Sequence, residues 1–375
     1  MPAVLVSDHA IPSDIASHSA TASHADLTIM AGLRALVAAA LGTVLLASAL
    51  PPTAALLVLL LAPFLLSVVP VHQIFDGFDP EAMKGKKVLI CGASGGIGEQ
   101  LAYQYARLGC SVALVARREE ALKAVVAKCS MLGAPHSAAV VGDMSSEASI
   151  LKTVEAVLGT DWVNGSLDIL VLNHAIQYWD WVLPDADELR DAAVGRTNAA
   201  VSFEFLDKTV AVNFTSYVKL AAVCTPALVR GADFSRSRSS IVVVSSGAGK
   251  LACPKQSVYA GTKHALLGFF DSFRLELEHK RLPVTVTNVI LGATATEQFV
   301  GSAGEDVSWP PPCPVEEAAK GILRGGAARL EEVYYPLGQS LHLVAVLRSL
   351  VGLRWLLDRV TLAASGGRNV MSWRR

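Results

Sequence analysis

Lys86–Gly109 reads KKVLICGASGGIGEQLAYQYARLG. Its opening, KKVLICG, is an apolar run of the kind a strand buried on both faces requires. Ile97 to Leu108 carries apolar residues at helical spacing. Between the two, Gly92, Gly96 and Gly98 form Gly-x-x-x-Gly-x-Gly. Glycines there permit a tight turn and let the main chain approach a pyrophosphate at a helix N-terminus, where free N–H groups favour an anion. The pattern follows a strand and opens a helix, which is the context a dinucleotide site needs.

The same texture continues downstream. SVALVAR reads as a strand, Glu119 to Leu132 as a helix and SAAVVGD as a strand. Ser146 to Val157 is helical and LDILVLNHA is a strand. An irregular stretch from Ile176 to about Asn198 contains Trp179, Trp181 and Pro184. Then come a long helix near Phe205 to Val229, the strand SIVVVSS, a helix holding Tyr259, and the strand VTVTNVIL. Val315 to Ala328 reads as a helix and VYYP as a last short strand. Such alternation predicts an α/β fold, a Rossmann-type doubly wound parallel sheet, as one catalytic domain over residues 85–336. Its site belongs at the carboxyl ends of the strands.

The second strand ends at Arg117-Arg118, about twenty residues past the glycines. An acid there would hold the ribose hydroxyls of NAD, whereas two arginines suit a 2′-phosphate and so NADP(H). The alternative is a solvated basic pair opening a helix, a poor place for positive charge without an anion. Asp143 closes the third strand, either to accept from an adenine amine or, with Ser145, to cap the next helix. Asn173-His174-Ala175 closes the fourth strand. The asparagine can brace neighbouring backbone, and His174 reads as structural rather than catalytic.

Ser246–Lys263 reads SGAGKLACPKQSVYAGTK. Tyr259 and Lys263 stand at i and i+4 on one helix face. An ammonium beside a phenol favours the phenolate and lowers a pKa that is otherwise about 10. A tyrosine tuned in this way passes a proton near neutral pH. The motif alone also fits a half-exposed aromatic beside a solvated lysine; the glycine pattern and the arginines upstream decide for chemistry.

The whole chain of 375 residues is 52% hydrophobic and 17% charged, with a formal net charge of −1. That balance gives no electrostatic case for nucleic acid. Its apolar excess is local, for no Asp, Glu, Lys or Arg occurs from Ala35 to Phe75. Residues 1–29 read as a flexible tail and residues 30–71 as a membrane anchor. Pro51-Pro52 divides the anchor, so it is either a single span over Thr53 to Val69 or a hairpin turning at the prolines. Lys84, Lys86 and Lys87 favour a cytosolic catalytic domain by the positive-inside rule. Residues 337–375 form a C-terminal segment, in which Ser340 to Leu362 reads as an amphipathic helix on a membrane, a partner or its own domain. The six cysteines have no C-x-x-C pairing and read as reduced and non-ligating, and no metal site is expected.

Taken together, Gly92-x-x-x-Gly96-x-Gly98, Asn173-His174-Ala175, Asn213, Ser246 and Tyr259-x-x-x-Lys263 resemble the short-chain dehydrogenase/reductase family over roughly Gly85 to Thr296. Within it, GKKVLICGAS, LVLNHA, VNFTSYVKL, SIVVVSSGAGK, LGFFDSFRLE and GGAARLEEVYY resemble the membrane-anchored 11β-hydroxysteroid dehydrogenase type 1 group. GEQLAYQYARLG, LVARREE and the proline-interrupted anchor resemble plant steroleosins. The resemblance implies a homodimer formed through the long helices and NADP(H)-linked interconversion of an alcohol and a ketone on a steroid, sterol or other apolar substrate. It implies an endoplasmic-reticulum membrane, with a lipid-droplet surface as the alternative.

By position, the resemblance makes Tyr259 the acid/base and has Ser246 hold the substrate oxygen. It has Lys263 tune the tyrosine and bind the nicotinamide ribose, and has Asn213 support a water leading from that lysine. Cofactor contacts fall on Gly92, Ser94, Gly95, Gly96, Ile97, Gly98, Arg117, Arg118, Asp143, Met144, Asn173, Ala175, Thr294 and Thr296, besides Tyr259 and Lys263. Cys91 stands where the family has threonine, and Ile176 where it has glycine. An insertion within Tyr178 to Glu204 borders the cleft, and Trp179 and Trp181 in it either line a pocket, meet a membrane or pack the loop. A retinoid or long-chain lipid ketone reductase and a catalytically idle lipid-surface scaffold are the competing functions.

Overall fold

The apolar run before Gly92 forms strand β1, Lys87–Cys91, and the residues beyond it form helix α1, Gly96–Arg107. The computed structural model describes residues 78–177, 179–184, 202–232, 238–297, 299–300 and 311–336. The expected tail, anchor and C-terminal segment lie outside the described residues, as does most of the insertion.

Alternation continues with β2 (Ser111–Ala116), α2 (Glu119–Met131), β3 (Ser137–Val141), α3 (Glu147–Leu158) and β4 (Ile169–Leu172). A helical run follows, α4 (Phe203–Val210), a π turn (Ala211–Thr215) and α5 (Ser216–Gly231). Then come β5 (Ser239–Val244), α6 (Ser257–His279), β6 (Val284–Leu291), α7 (Val315–Ala327) and β7 (Glu332–Tyr335).

The strands pair in the order β3-β2-β1-β4-β5-β6-β7, every pair parallel. Strand order reverses between β1 and β4, which opens the crevice where doubly wound sheets bind ligands. Side-chain alternation splits the core into two layers. Val88, Ile90, Val242 and Val244 face α1, α2 and α7; Leu89, Cys91, Ile241 and Val243 face α3, α5 and α6. Because β1, β2, β4 and β5 are covered on both sides, their sequences are continuous apolar runs rather than alternating ones.

Among the described residues, Phe203–Gly231 is long and apolar enough to cross a membrane. It packs on β4 and β5 within this core instead, with Tyr217, Leu220, Cys224 and Leu228 buried. Within residues 85–336 the strands and helices expected from the sequence are present. The single long helix expected near Phe205 to Val229 is broken by the π turn that carries Asn213.

Candidate active site

Gly92 leaves β1 with φ +87°, a conformation that side chains disfavour. A Cβ on it would sit 2.7 Å from the His174 Cα, and a Cβ on Gly98 would fall 2.0 Å from the Gly92 carbonyl oxygen. The turn therefore closes only with glycine. Asn173 braces it, donating from Nδ2 to the Gly92 carbonyl at 3.1 Å. Arg118 lies across the outer edge, donating from Nε to Ser94 Oγ at 3.2 Å and from Nη2 to the Ser94 carbonyl at 3.1 Å. Gly95 lies under that guanidinium, for a Cβ there would be 2.7 Å from Nη2. Ile97 packs inward on the core while Gly96 stays at the cradle. Arg117 and Arg118 are both exposed at the end of β2.

The other strand ends converge on this cradle. Asp143 follows β3 and accepts from the Ser145 N–H at 2.9 Å; that bond leads the causes holding its carboxyl below the usual range, and Arg117 contributes. The cap of α3 is Ser146, which accepts from Ser149, so neither Asp143 nor Ser145 caps that helix. Met144 is buried beside Asp143 and Ala175 is half-buried beyond Asn173. Thr294, after β6, is buried and donates to the Gly292 carbonyl at 3.2 Å. Thr296 reaches back over the cradle, its Cγ2 3.5 Å from where a Gly96 Cβ would stand.

At the end of β5, Ser246 is extended, and its hydroxyl accepts from the Ala248 N–H at 3.2 Å. It also lies near enough to Tyr259 to influence that phenol. Strand and helix are clamped one residue earlier. Lys263 Nζ donates to the Val244 carbonyl at 2.9 Å, and Ser245 Oγ to the Lys263 carbonyl at 3.3 Å. These two bonds set the height of Tyr259 against Ser246. Lys263 is only 2% exposed, and its Nζ lies 5.6 Å from the Tyr259 ring centroid and 5.5 Å from that of Tyr217.

Burial pulls the Lys263 ammonium down to about 7 and pushes the Tyr259 phenol up to about 12. Ser246 opposes the rise in Tyr259 and Cys253 adds to it. The expected lowering of the phenol by Lys263 is therefore absent in the protein alone. The lysine sheds its proton first, leaving no positive charge beside the phenol when the phenol titrates. Tyr259 is half-buried by area, yet the protein packed around its hydroxyl still dominates its titration.

Asn213 is fully buried in the π turn. Its Oδ1 accepts from the Ile176 N–H at 2.7 Å and its Nδ2 donates to the Ile176 carbonyl at 2.8 Å. Nδ2 also reaches Thr262 Oγ1 at 3.4 Å, one residue before Lys263. Asn213 thus ties the end of β4 to the helix of the tyrosine. A single π turn inside a helix is a frequent mark of function.

Beneath the lysine lies a group that the motifs do not announce. Ser216 Oγ donates to the Val212 carbonyl at 2.6 Å and lies 2.7 Å from His174 Nε2. With its proton committed to Val212, the serine accepts, so His174 carries its proton on Nε2. Tyr217 donates to the His174 carbonyl at 2.6 Å, and the two rings stand 4.5 Å apart. Burial, with Lys263 second, pulls His174 down to about 3. His174 is a neutral structural histidine, as expected. Ser216 and Tyr217 were visible only as part of VNFTSYVKL.

The glycine turn, closed against any Cβ and opening on a helix N-terminus, fits a dinucleotide pyrophosphate. A model of the short chain dehydrogenase family matches residues 86–305. This chain belongs to that family. It is therefore an oxidoreductase acting on CH–OH groups, and the family uses a nicotinamide cofactor. A hydroxysteroid 11-beta-dehydrogenase 1-like protein from Gallus gallus is 38% identical over 265 residues, 70% of this chain and 82% of the relative. Proteins of the same name from Xenopus tropicalis and Danio rerio are 38% and 35% identical, covering 70% and 74% of this chain and 82% and 88% of theirs. Among solved structures, a 3-ketoacyl-(acyl-carrier-protein) reductase from Brucella melitensis complexed with NADH superposes with a TM-score of 0.57 at 22% identity. The superposition covers 69% of this chain and 99% of that one, and speaks for the fold.

Proposed function

We propose that the chain is a membrane-anchored, NADP(H)-dependent enzyme interconverting a secondary alcohol and a ketone on a steroid, sterol or similarly apolar substrate. One observation carries this reading: Tyr259 stands beside a buried lysine, whose Nζ lies 5.6 Å from its ring and is held on the end of the strand that carries Ser246. Arg117 and Arg118, exposed beside the cradle, support a 2′-phosphate and hence NADP(H). The name carried by the relatives, which speaks of a hydroxysteroid, supports the substrate class. The uncharged run within residues 30–71 supports the anchor. Half-buried Phe214, Phe269 and Phe273 on the long helices support a homodimer through that face, a state light scattering in detergent would test.

Gly92, Ser94, Gly95, Gly96, Ile97 and Gly98 would hold the pyrophosphate, and Arg117 and Arg118 the 2′-phosphate. Asp143 and Met144 would border the adenine; Asn173, Ala175, Thr294, Thr296 and Lys263 would border the nicotinamide half. When bound, the cofactor supplies or takes the hydride. The remaining work is a proton's. In reduction, Ser246 and Tyr259 donate hydrogen bonds to the carbonyl oxygen, and Tyr259 gives its proton as that oxygen becomes an alkoxide. An alkoxide is more basic than a phenolate, so a phenol near 12 is acid enough to complete the transfer. Lys263, poised near 7, returns a proton to the tyrosine.

The test is whether the purified protein consumes NADPH, followed by absorbance, on adding apolar polycyclic ketones. Consumption that matches alcohol formed and is far slower with NADH is expected. No consumption with any such ketone, nor formation of NADPH from the alcohols, would refute the reading. All four positions, Asn213, Ser246, Tyr259 and Lys263, are filled, which argues against an idle scaffold.

A further inference from the structure

The lysine beside Tyr259 meets two aromatic rings, and only that of Tyr259 belongs to a reacting group. Lys263 Nζ lies 5.6 Å from the centre of the Tyr259 ring and 5.5 Å from that of Tyr217. Both distances are within the reach at which a ring face attracts a cation, and the attraction grows where water is excluded. Water is excluded here, for Lys263 is buried and Tyr217 fully so.

Tyr217 is pinned at its tip. Its hydroxyl donates to the His174 carbonyl at 2.6 Å, and its ring stands 4.5 Å from the His174 ring. His174 is fixed in turn by Ser216, the residue before Tyr217 on α5. With the phenol proton committed to a main-chain oxygen, the ring face is what Tyr217 offers the lysine. Nζ also donates to the Val244 carbonyl at 2.9 Å. A carbonyl oxygen and a ring face both favour the ammonium, against the burial that pulls it down to about 7. Among the described residues, the titratable groups around Lys263 are Tyr259 on its own helix, Tyr217 on α5 and His174 after β4, with Cys91 at the end of β1 acting on Tyr217. None is charged at neutral pH, because burial holds His174 near 3 and raises both tyrosines and Cys91 above their ordinary values.

We propose that Tyr217 is a positioning residue that acts through Lys263, its ring face favouring the protonated lysine that returns a proton to Tyr259. The kinetic part of this inference rests on the ketone-reductase reading; the contact between ring and lysine does not.

The experiment titrates Lys263 directly, by NMR of the full-length protein in detergent with 13C-labelled lysine, the signal being assigned by its loss in Lys263→Arg. Tyr217→Leu removes the ring face, so the lysine should lose its proton about one pH unit lower than in the wild type. Tyr217→Phe keeps the face and gives up only the bond to the His174 carbonyl, so the titration should stay within about 0.3 unit. Reduction needs the protonated lysine, so the alkaline limb of kcat with NADPH and an apolar ketone should follow, about one unit lower for Tyr217→Leu and in place for Tyr217→Phe. A merely structural role would lower turnover or Tm without moving either pH curve. Should Tyr217→Leu unfold, phenylalanines of increasing fluorination at position 217 weaken the ring face at nearly constant size, and each step should lower both curves further. A lysine titration unmoved in Tyr217→Leu or along the fluorinated series would overturn the proposal. So would equal shifts in the Leu and Phe variants, or a kcat limb that stays in place while the titration moves. A shifted titration in a protein that turns over no ketone would uphold the contact and refute the ketone-reductase reading instead.

Discussion

Lys263 and Tyr259 share a helix face, and that much follows from their spacing. What spacing does not carry is depth. Lys263 is almost wholly enclosed, and enclosure rather than proximity sets both titrations, drawing the lysine down to about 7 and the phenol up to about 12. His174 makes the same point. Its place beside Asn173 was plain, but its neutrality comes from burial and from Lys263, and its tautomer from Ser216 on a helix some forty residues on. That neutrality has a consequence for stability. His174 titrates at 6.5 ordinarily and near 3 in the folded protein. Between those values the unfolded chain binds a proton that the folded site refuses. Stability therefore rises with pH across the window and is lost as pH falls through it. His174→Asn removes this proton uptake. Thermal melts from pH 6.5 to 4 should show a shallower loss of Tm for the variant than for the wild type. Parallel losses would show that His174 is protonated in the fold.

At the scale of elements, strands were the most legible feature. Val88–Cys91, Val112–Ala116 and Ile241–Val244 are apolar because both sheet faces are covered, so composition alone marks them. The π turn at Ala211–Thr215 was not legible. It adds a residue to one helical turn, which no residue type marks, and it shows only in the fold, where Asn213 packs on Ile176. The cradle was legible in its glycines, while the guanidinium of Arg118 bonded across Ser94 was not. That contact places a positive charge at the outer edge of the turn before any phosphate arrives. Replacing the pair, Arg117→Ala with Arg118→Ala, should raise the KM for NADPH roughly 10–100-fold, as loss of charge-assisted bonds to a phosphate would. The KM for NADH should change little. Steady-state kinetics with both coenzymes decides it, and equal rises would remove the 2′-phosphate role.

For the molecule as a whole, the strand order does the assembling. Gly92, Asn173, Ser246 and Thr294 are far apart in sequence, yet each follows a strand, and parallel pairing brings all four to one edge of the sheet. That convergence could be anticipated from alternation alone. The packing of the segment around Trp179 and Asp180 could not, because no periodicity governs an irregular segment and its neighbours, Phe299 and Lys255, come from two distant loops. The remaining large-scale expectation is the anchor. Deleting residues 1–75 should move the protein from the membrane pellet to the supernatant in a fractionation assay; retention would shift membrane attachment to Ser340–Leu362. The most direct measurement of the central claim is turnover by Tyr259→Phe, which removes one hydroxyl and leaves the ring. NADPH consumption with an apolar ketone should fall to background, while NADPH binding, titrated by cofactor fluorescence, stays within about threefold of wild type, since the lost group acts on substrate oxygen rather than on the cradle. Turnover at the wild-type rate would contradict the account.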